Sequence, residues 1–101
     1  MEISFASGRE RDLYQSKAAL TAKYGEPMAR KIVQRIEELQ AARTPQQLPS
    51  GARFHEHSAK RRGLFSVNLV QPMRLIVRPT CVYKTWVEIT SIEIYEIMDP
   101  H

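Results

Sequence analysis

Residues 63–77 read GLFSVNLVQPMRLIV, and this stretch decides the fold. From Phe65 to Leu69, apolar and polar residues alternate with a period of two, which is typical of a strand with one buried face. A second alternation begins at Met73 and continues to Val77, after a short connection that contains Pro72. Two such runs with a tight connection predict an antiparallel hairpin.

Two helical segments precede this hairpin. Met1–Phe5 has the pattern of a short strand, and Ser7 then predicts the start of a helix to Tyr24, because Glu10 follows three residues later as in a capping box. Gly25 suits the turn after that helix. A proline in the first turn begins a second helix, with an apolar stripe of Ile32, Val33, Ile36 and Leu39. Basic residues at positions 30, 31 and 35 lie off most of that stripe. So short a turn predicts an antiparallel helical hairpin.

The remaining segments complete the predicted order of elements. Thr44-Pro45 predicts one extra helical turn through Leu48. Val87–Ile94 changes phase near Thr90-Ser91, which predicts a bulge in the last strand. The order of strand, two helices and then three or four strands indicates the α+β class. We expect a mostly antiparallel, four- to five-stranded sheet, with an N-terminal helical hairpin packed on one face and residues 1–101 in a single domain.

Composition restricts the class of protein. No apolar run approaches the roughly 18 residues that a membrane helix needs, and the first residues lack the basic start and long apolar core of a signal peptide. The single cysteine, Cys81, has no partner in the chain for a disulfide, and we expect it to act as a small, partly buried apolar residue. These features predict a cytoplasmic protein.

The charge of the chain is unevenly distributed. Residues 51–86 contain seven basic residues and one acidic residue, whereas residues 87–101 contain four acidic residues and no lysine or arginine. The basic segment is a candidate surface for a polyanion such as RNA. The alternative is that these charges only solvate exposed faces.

A small set of residues in the basic segment suits phosphodiester chemistry. Arg74 occupies the polar phase of its strand, and His55 or His57 on a neighbouring strand would share a face with it. Cleavage of RNA by its own 2′-OH needs a base, a cation for the phosphorane and an acid, roles that histidine and arginine fill. Two histidines are too few for a zinc site, so we expect no metal and no cofactor. The alternative is that these residues are ordinary solvated side chains.

The hairpin of residues 63–77 resembles the paired central strands of HigB-type toxins in the RelE/ParE superfamily. Residues 87–101, which end in Asp99-Pro100-His101, are similar to the last strand and the Asp-Tyr-His ending of that family, and residues 36–48 also resemble it. The resemblance implies a RelE-like fold and a toxin of a type II toxin–antitoxin system. Such a toxin binds the ribosome, cleaves mRNA without a metal and is neutralised by a cognate antitoxin, which we expect to be of the helix-turn-helix kind.

The resemblance also implies roles for individual residues. Arg74 matches the family's phosphate-binding arginine, and His101 matches the terminal histidine that transfers protons. The family's usual lysine falls on Ser58 here, so one of Lys60, Arg61 and Arg62 is expected to take its role. Lys60 is the first choice, with His57 beside it. The family's penultimate tyrosine is a proline in this chain, which removes a ring that stacks on a base. RNA or ribosome binding is expected from Arg53, His55, Arg61, Arg62 and Arg78.

Two other functions share this scaffold. A ParE-type toxin inhibits DNA gyrase and cleaves no RNA, and a catalytically inactive module only binds RNA or protein. The combination of Arg74, His101 and the basic loop favours the endonuclease, because neither alternative needs a terminal histidine. Fold alone does not separate the three functions.

Overall fold

The computed structural model describes residues 1–56 and 63–99. The helices are α1 (Gly8–Tyr14), α2 (Lys17–Tyr24) and α3 (Glu26–Ala41), and the strands are β1 (Glu2–Phe5), β2 (His55–Glu56), β3 (Phe65–Asn68), β4 (Arg74–Pro79) and β5 (Ser91–Met98). Short 3₁₀ turns occupy Pro45–Gln47, Ser50–Ala52 and Trp86–Glu88. None of the helices in this part of the chain is both long enough and apolar enough to cross a membrane.

The five strands form one sheet in the order β1-β5-β4-β3-β2. β1 pairs with β5 in parallel, and the other three neighbouring pairs are antiparallel. The predicted hairpin is present as β3 and β4, with a register that runs from Phe65 opposite Val77 to Asn68 opposite Arg74. The predicted α+β class with a mostly antiparallel sheet is therefore confirmed.

The core lies between the helices and one face of the sheet. Its fully buried side chains include Leu20 and Ile32 from the helices and Val67, Leu75 and Ile94 from the strands. Burial of each such aliphatic side chain contributes roughly 1.5–3 kcal/mol to folding. The alternation in residues 63–77 thus arises because one phase of β3 and β4 packs against the helices.

The helical segment differs from the prediction in one respect. The helices follow β1, and the single helix expected from Ser7 to Tyr24 is two helices, α1 and α2. The break occurs because the Ser16 hydroxyl accepts a hydrogen bond from the Ala19 amide at 3.1 Å, which makes Ser16 the N-cap of α2. Gly25 has a φ of 88°, as its place after a helix suggested.

The segment before β5 is the second difference. Residues 86–88 form a 3₁₀ turn instead of the start of the last strand, because Thr85 and Glu88 make a reciprocal capping box. The predicted bulge near Thr90-Ser91 is also wrong in position. The register shifts between residues 76 and 77 of β4, which leaves Tyr95 of β5 as the extra residue.

Candidate phosphate-binding site

Arg74 is the best-placed cation of the predicted site. It lies at the start of β4, half-buried, and its Nη1 donates a 2.7 Å hydrogen bond to the side-chain oxygen of Asn68 on β3. Among the described residues, no carboxylate lies within ion-pair distance of Arg74. The guanidinium is therefore oriented by a neutral amide, and within the described residues its charge is not paired with a carboxylate.

Asn68 is itself fixed by a network that reaches α3. It is 8 % exposed, and its amide nitrogen lies 3.5 Å from the Gly51 carbonyl oxygen. The backbone oxygen of Asn68 accepts a 2.7 Å hydrogen bond from Arg35 Nε, and Arg35 Nη2 donates to the Gly51 oxygen at 3.1 Å. Arg35 also forms an ion pair with Glu38 at 2.8 Å. These contacts tie helix, turn and strand together behind Arg74.

The ion pair in this network is formed at neutral pH. Partial burial raises the pKa of Glu38, but hydrogen bonds from Arg35 and Gln34 and the nearby positive charges outweigh burial and lower that pKa overall. Glu38 is therefore ionised and holds the guanidinium of Arg35 in position. Arg35 is only 7 % exposed, so this pair is shielded from solvent.

His55 is held on the edge strand β2 with a defined tautomer. Its Nδ1 lies 2.8 Å from the backbone oxygen of Arg53. A carbonyl oxygen only accepts hydrogen bonds, so Nδ1 carries the proton and Nε2 keeps its lone pair in the neutral ring. Nε2 lies 3.4 Å from the Ser66 hydroxyl on β3. The geometry leaves Nε2 as a base on the same side of the sheet as Ser66.

Arg53 owes its contact with His55 to an unusual backbone conformation. Its φ of 50° and ψ of 61° are in the left-handed region, which residues other than glycine seldom adopt. This conformation directs the Arg53 carbonyl oxygen to the ring of His55 while the Arg53 residue remains exposed. Strained residues of this kind are frequent next to functional groups.

The cross-strand register places these groups on the sheet face that the helices do not cover. His55 lies opposite Ser66, and Asn68 lies opposite Arg74. From two strand spacings and two residues of rise, the Cα atoms of His55 and Arg74 are roughly 12 Å apart. On this face Ser66 and Ile76 are fully buried, Arg74 is half-buried and His55 is exposed.

The remaining predicted residues fall into two groups. Arg78 lies on the same strand phase as Arg74 but is exposed and makes a 2.9 Å ion pair with Glu93, which reduces its availability for RNA. The others lie outside the described residues, so their predicted roles stay predictions: His57, Lys60, Arg61, Arg62, Pro100 and His101.

The sequence pattern failed to identify Arg35 and Asn68. Asn68 was assigned only to the polar phase of a strand. Arg35 was placed off most of the apolar stripe of α3, although it lies three residues after Ile32 and four before Leu39. That spacing places it on the buried side of the helix, and it is the signal that identifies a buried arginine here.

We expect Asn68→Ala to lower the free energy of unfolding by about 1–3 kcal/mol. The substitution removes the acceptor for Arg74 and leaves a partly buried guanidinium with one hydrogen bond fewer. Urea denaturation measures the loss. Ser66→Ala on the same strand is the matched control and should cost less, because its hydroxyl has one long contact to His55 among the described residues. Equal losses in the two variants would mean that Asn68 does not hold Arg74.

Other kinds of site are not evident in residues 1–56 and 63–99. In those residues, no group of three or more histidine, cysteine, aspartate or glutamate side chains is placed to hold a metal ion. Cys81 is half-buried against the core, as expected for a small apolar residue. The chain matches no protein-family model, no curated protein and no solved structure.

Proposed function

We propose that this chain is an RNA endonuclease toxin with a RelE-like fold, which cleaves mRNA on the ribosome without a metal ion. In this proposal the 2′-OH of the RNA attacks the adjacent phosphate, and Arg74 binds the non-bridging phosphate oxygens. The α+β order of elements and the mostly antiparallel sheet are compatible with this fold.

The observation that carries the proposal is the environment of Arg74. A half-buried arginine that is oriented by Asn68, with no carboxylate partner among the described residues, is suited to a phosphate. A preorganised cation lowers the energy of the extra negative charge that develops on the phosphorane. An arginine that only makes the surface soluble would not need a hydrogen bond to a buried side chain such as that of Asn68.

His55 supplies a base within the described part of the site. Its Nε2 carries no proton in the neutral ring, since Nδ1 donates to the Arg53 oxygen, and the Nε2 lone pair has one long contact with the Ser66 hydroxyl at 3.4 Å. We propose that His55 takes the proton of the 2′-OH directly or through a water. His101, with Lys60 and His57, remains the proposed source of the proton for the leaving oxygen. In this step the 2′-oxygen forms a bond to phosphorus, the bond from phosphorus to the 5′-oxygen breaks, and the 5′-oxygen leaves with a proton.

The proposed partners follow from the resemblance and from charge. The excess of arginine and lysine in residues 51–86 suits contact with ribosomal RNA and mRNA, including Arg53, Arg61 and Arg62. A cognate antitoxin of the helix-turn-helix kind is proposed to neutralise the toxin, and the cytoplasm is its proposed location.

The test of the function is expression from a tightly controlled promoter in bacteria, followed by mapping of mRNA 5′ ends. We expect new ends that keep a fixed phase with the codons, because a nuclease bound to the ribosome meets mRNA in codon steps. Wild-type chain and Arg74→Ala should be expressed at equal levels, and the ends should depend on Arg74.

Two results would contradict this function. Growth arrest with intact mRNA and accumulated DNA breaks indicates a gyrase inhibitor instead. New 5′ ends that persist in Arg74→Ala indicate that a host nuclease, and not this site, makes the cuts.

A further inference from the structure

A second concave site lies beside β2, the edge strand that contains His55 and Glu56. It has a volume of about 730 Å³ and is lined by the rings of Phe54, Phe65, Tyr83 and Trp86, together with Glu56 and Lys84. The loop between β4 and β5 contributes three of these residues. Phe65 belongs to the phase of β3 that packs toward the helices, whereas Arg74 belongs to the opposite face. The pocket therefore lies away from Arg74, although His55 belongs to both sites.

The rings form a connected aromatic wall that is anchored in the core. Phe65 is 3 % exposed, and its ring stacks on Phe54 with centroids 4.9 Å apart and planes at 16°. Phe54 in turn lies 6.3 Å from Trp86, and Tyr83 meets Phe65 edge-on at 6.1 Å. The outermost ring, Trp86, is 44 % exposed. An indole surface is thus presented to solvent on a rigid aromatic base.

The turn that carries Trp86 is held by hydrogen bonds between Thr85 and Glu88. The carboxylate of Glu88 accepts from the Thr85 amide at 2.9 Å and from the Thr85 hydroxyl at 3.2 Å. The hydrogen bond from the Thr85 backbone amide is the main reason that the pKa of Glu88 lies below its usual value. Glu88 is therefore ionised at neutral pH and holds the turn closed. An exposed tryptophan held in one place is preorganised for a flat ligand.

The polar groups of the pocket have the chemistry of a nucleotide site. Lys84 is an exposed cation at the pocket and suits a phosphate. Glu56 has a carboxylate oxygen that accepts from the Gly63 amide at 3.3 Å, and its second oxygen suits the N–H groups on the edge of a base. Aromatic faces stack on bases of any sequence. A purely apolar peptide would use the rings but neither charge.

We propose that the aromatic pocket binds a nucleobase of single-stranded RNA, with the base stacked on Trp86 and its phosphate near Lys84. His55 lines this pocket and also reaches Ser66 on the face of Arg74. One RNA strand that crosses β2 at His55 can therefore contact both sites. The identity of the ligand rests on the proposed function, whereas the existence of a planar-ligand site rests on the pocket itself.

Fluorescence of Trp86 tests the proposal directly, because it is the one tryptophan of the chain. Titration of the full chain with guanosine 5′-monophosphate, and with a six-nucleotide single-stranded RNA, should quench the emission to a saturating value. The titration with RNA is made in the Arg74→Ala background so that the strand stays intact. Absence of quenching at millimolar nucleotide overturns the proposal. A blue shift of the emission without quenching would mean that the indole becomes shielded from water without stacking on a base, and this result also overturns the proposal.

Anisotropy of a fluorescently labelled six-nucleotide RNA gives a second, independent readout. Trp86→Ala should weaken binding by about ten-fold or more, since a stacked base contributes of that order, and Trp86→Phe should restore most of the affinity. Tyr95→Ala is the matched control, because Tyr95 is 43 % exposed on β5 and does not line the pocket. Equal affinities of wild type and Trp86→Ala contradict the proposal.

The two proposals fail in different ways. Codon-phased mRNA cleavage with no effect of nucleotide on Trp86 leaves the endonuclease in place and removes the base site. Trp86-dependent nucleotide binding in a chain that cuts no mRNA leaves the base site in place and removes the endonuclease.

Discussion

The Arg74→Ala variant is expected to cleave RNA about 10²–10³-fold more slowly than the wild type, because removal of one preorganised donor to a developing oxyanion has this effect in other enzymes. The half-buried guanidinium is oriented by Asn68 before RNA arrives, so its stabilisation of the transition state needs no reorganisation. The measurement is the single-turnover rate on programmed ribosomes. The affinity for the ribosome should change much less, since many other cations contribute to it.

Two variants test whether geometry or charge alone matters at this position. Arg74→Lys keeps the charge but loses the planar fork, and we expect it to recover only a small part of the rate. Arg30→Ala is the matched control, because Arg30 is an exposed arginine on α3 whose partner is Glu26. A full rate in Arg74→Lys would show that the fork is not used, and a full rate in Arg74→Ala would remove Arg74 from the mechanism.

The second large effect is on stability. Arg35→Ala should lower the free energy of unfolding by about 3–5 kcal/mol, the usual cost of removing one partner from a buried ion pair. The variant leaves Glu38 without its cation and the backbone oxygens of Asn68 and Gly51 without a donor. Thermal and urea unfolding measure the loss. Arg30→Ala on the same helix should cost less than about 0.5 kcal/mol, because its pair with Glu26 is exposed.

The effect of Arg35→Ala should depend on pH in a defined direction. The pKa of Glu38 is lower in the folded chain than in the unfolded chain, although burial alone would raise it, because hydrogen bonds from Arg35 and Gln34 prevail. The stability contributed by the ion pair is therefore present above the usual pKa of a glutamate and is lost as the pH falls through the folded value. The difference in stability between wild type and variant should become smaller at acidic pH, and the part that is due to the backbone contacts should remain. A constant difference would mean that Arg35 acts only through its backbone contacts.

The sequence predicted most of the sheet because its strands follow a simple period. Residues 65–69 and 73–77 each show two phases, and the register of β3 and β4 follows from a short connection. The helix break at Ser16 and the turn at residues 86–88 depend on single side-chain caps. A cap is formed by one or two polar side chains, which leave no mark on the spacing of apolar residues. The apolar pattern therefore did not locate these caps.

The candidate site was predictable only in part. Strand parity predicted that Arg74 shares a face with His55 or His57, and the register puts His55 and Arg74 on one face. Strand parity does not predict which side chains form hydrogen bonds, so the hydrogen bond from Arg74 to Asn68 was not predicted. The aromatic pocket was missed for another reason. Phe54, Tyr83 and Trp86 lie in connecting segments without periodicity, where a pattern of alternation carries no information about which rings meet.

The parallel pairing of β1 with β5 has a consequence for how the chain acquires its structure. β5 lies between β1 and β4, so β1 finds its neighbour in a strand that follows it by more than 80 residues in the sequence. Closing so long a loop carries an entropic cost before any contact compensates for it, and such topologies fold slowly. Without residues 91–98, β1 has no partner strand and β4 has a partner on one side only. β1 can therefore join the sheet only after β5 has formed, whereas β2, β3 and β4 can pair with one another without it.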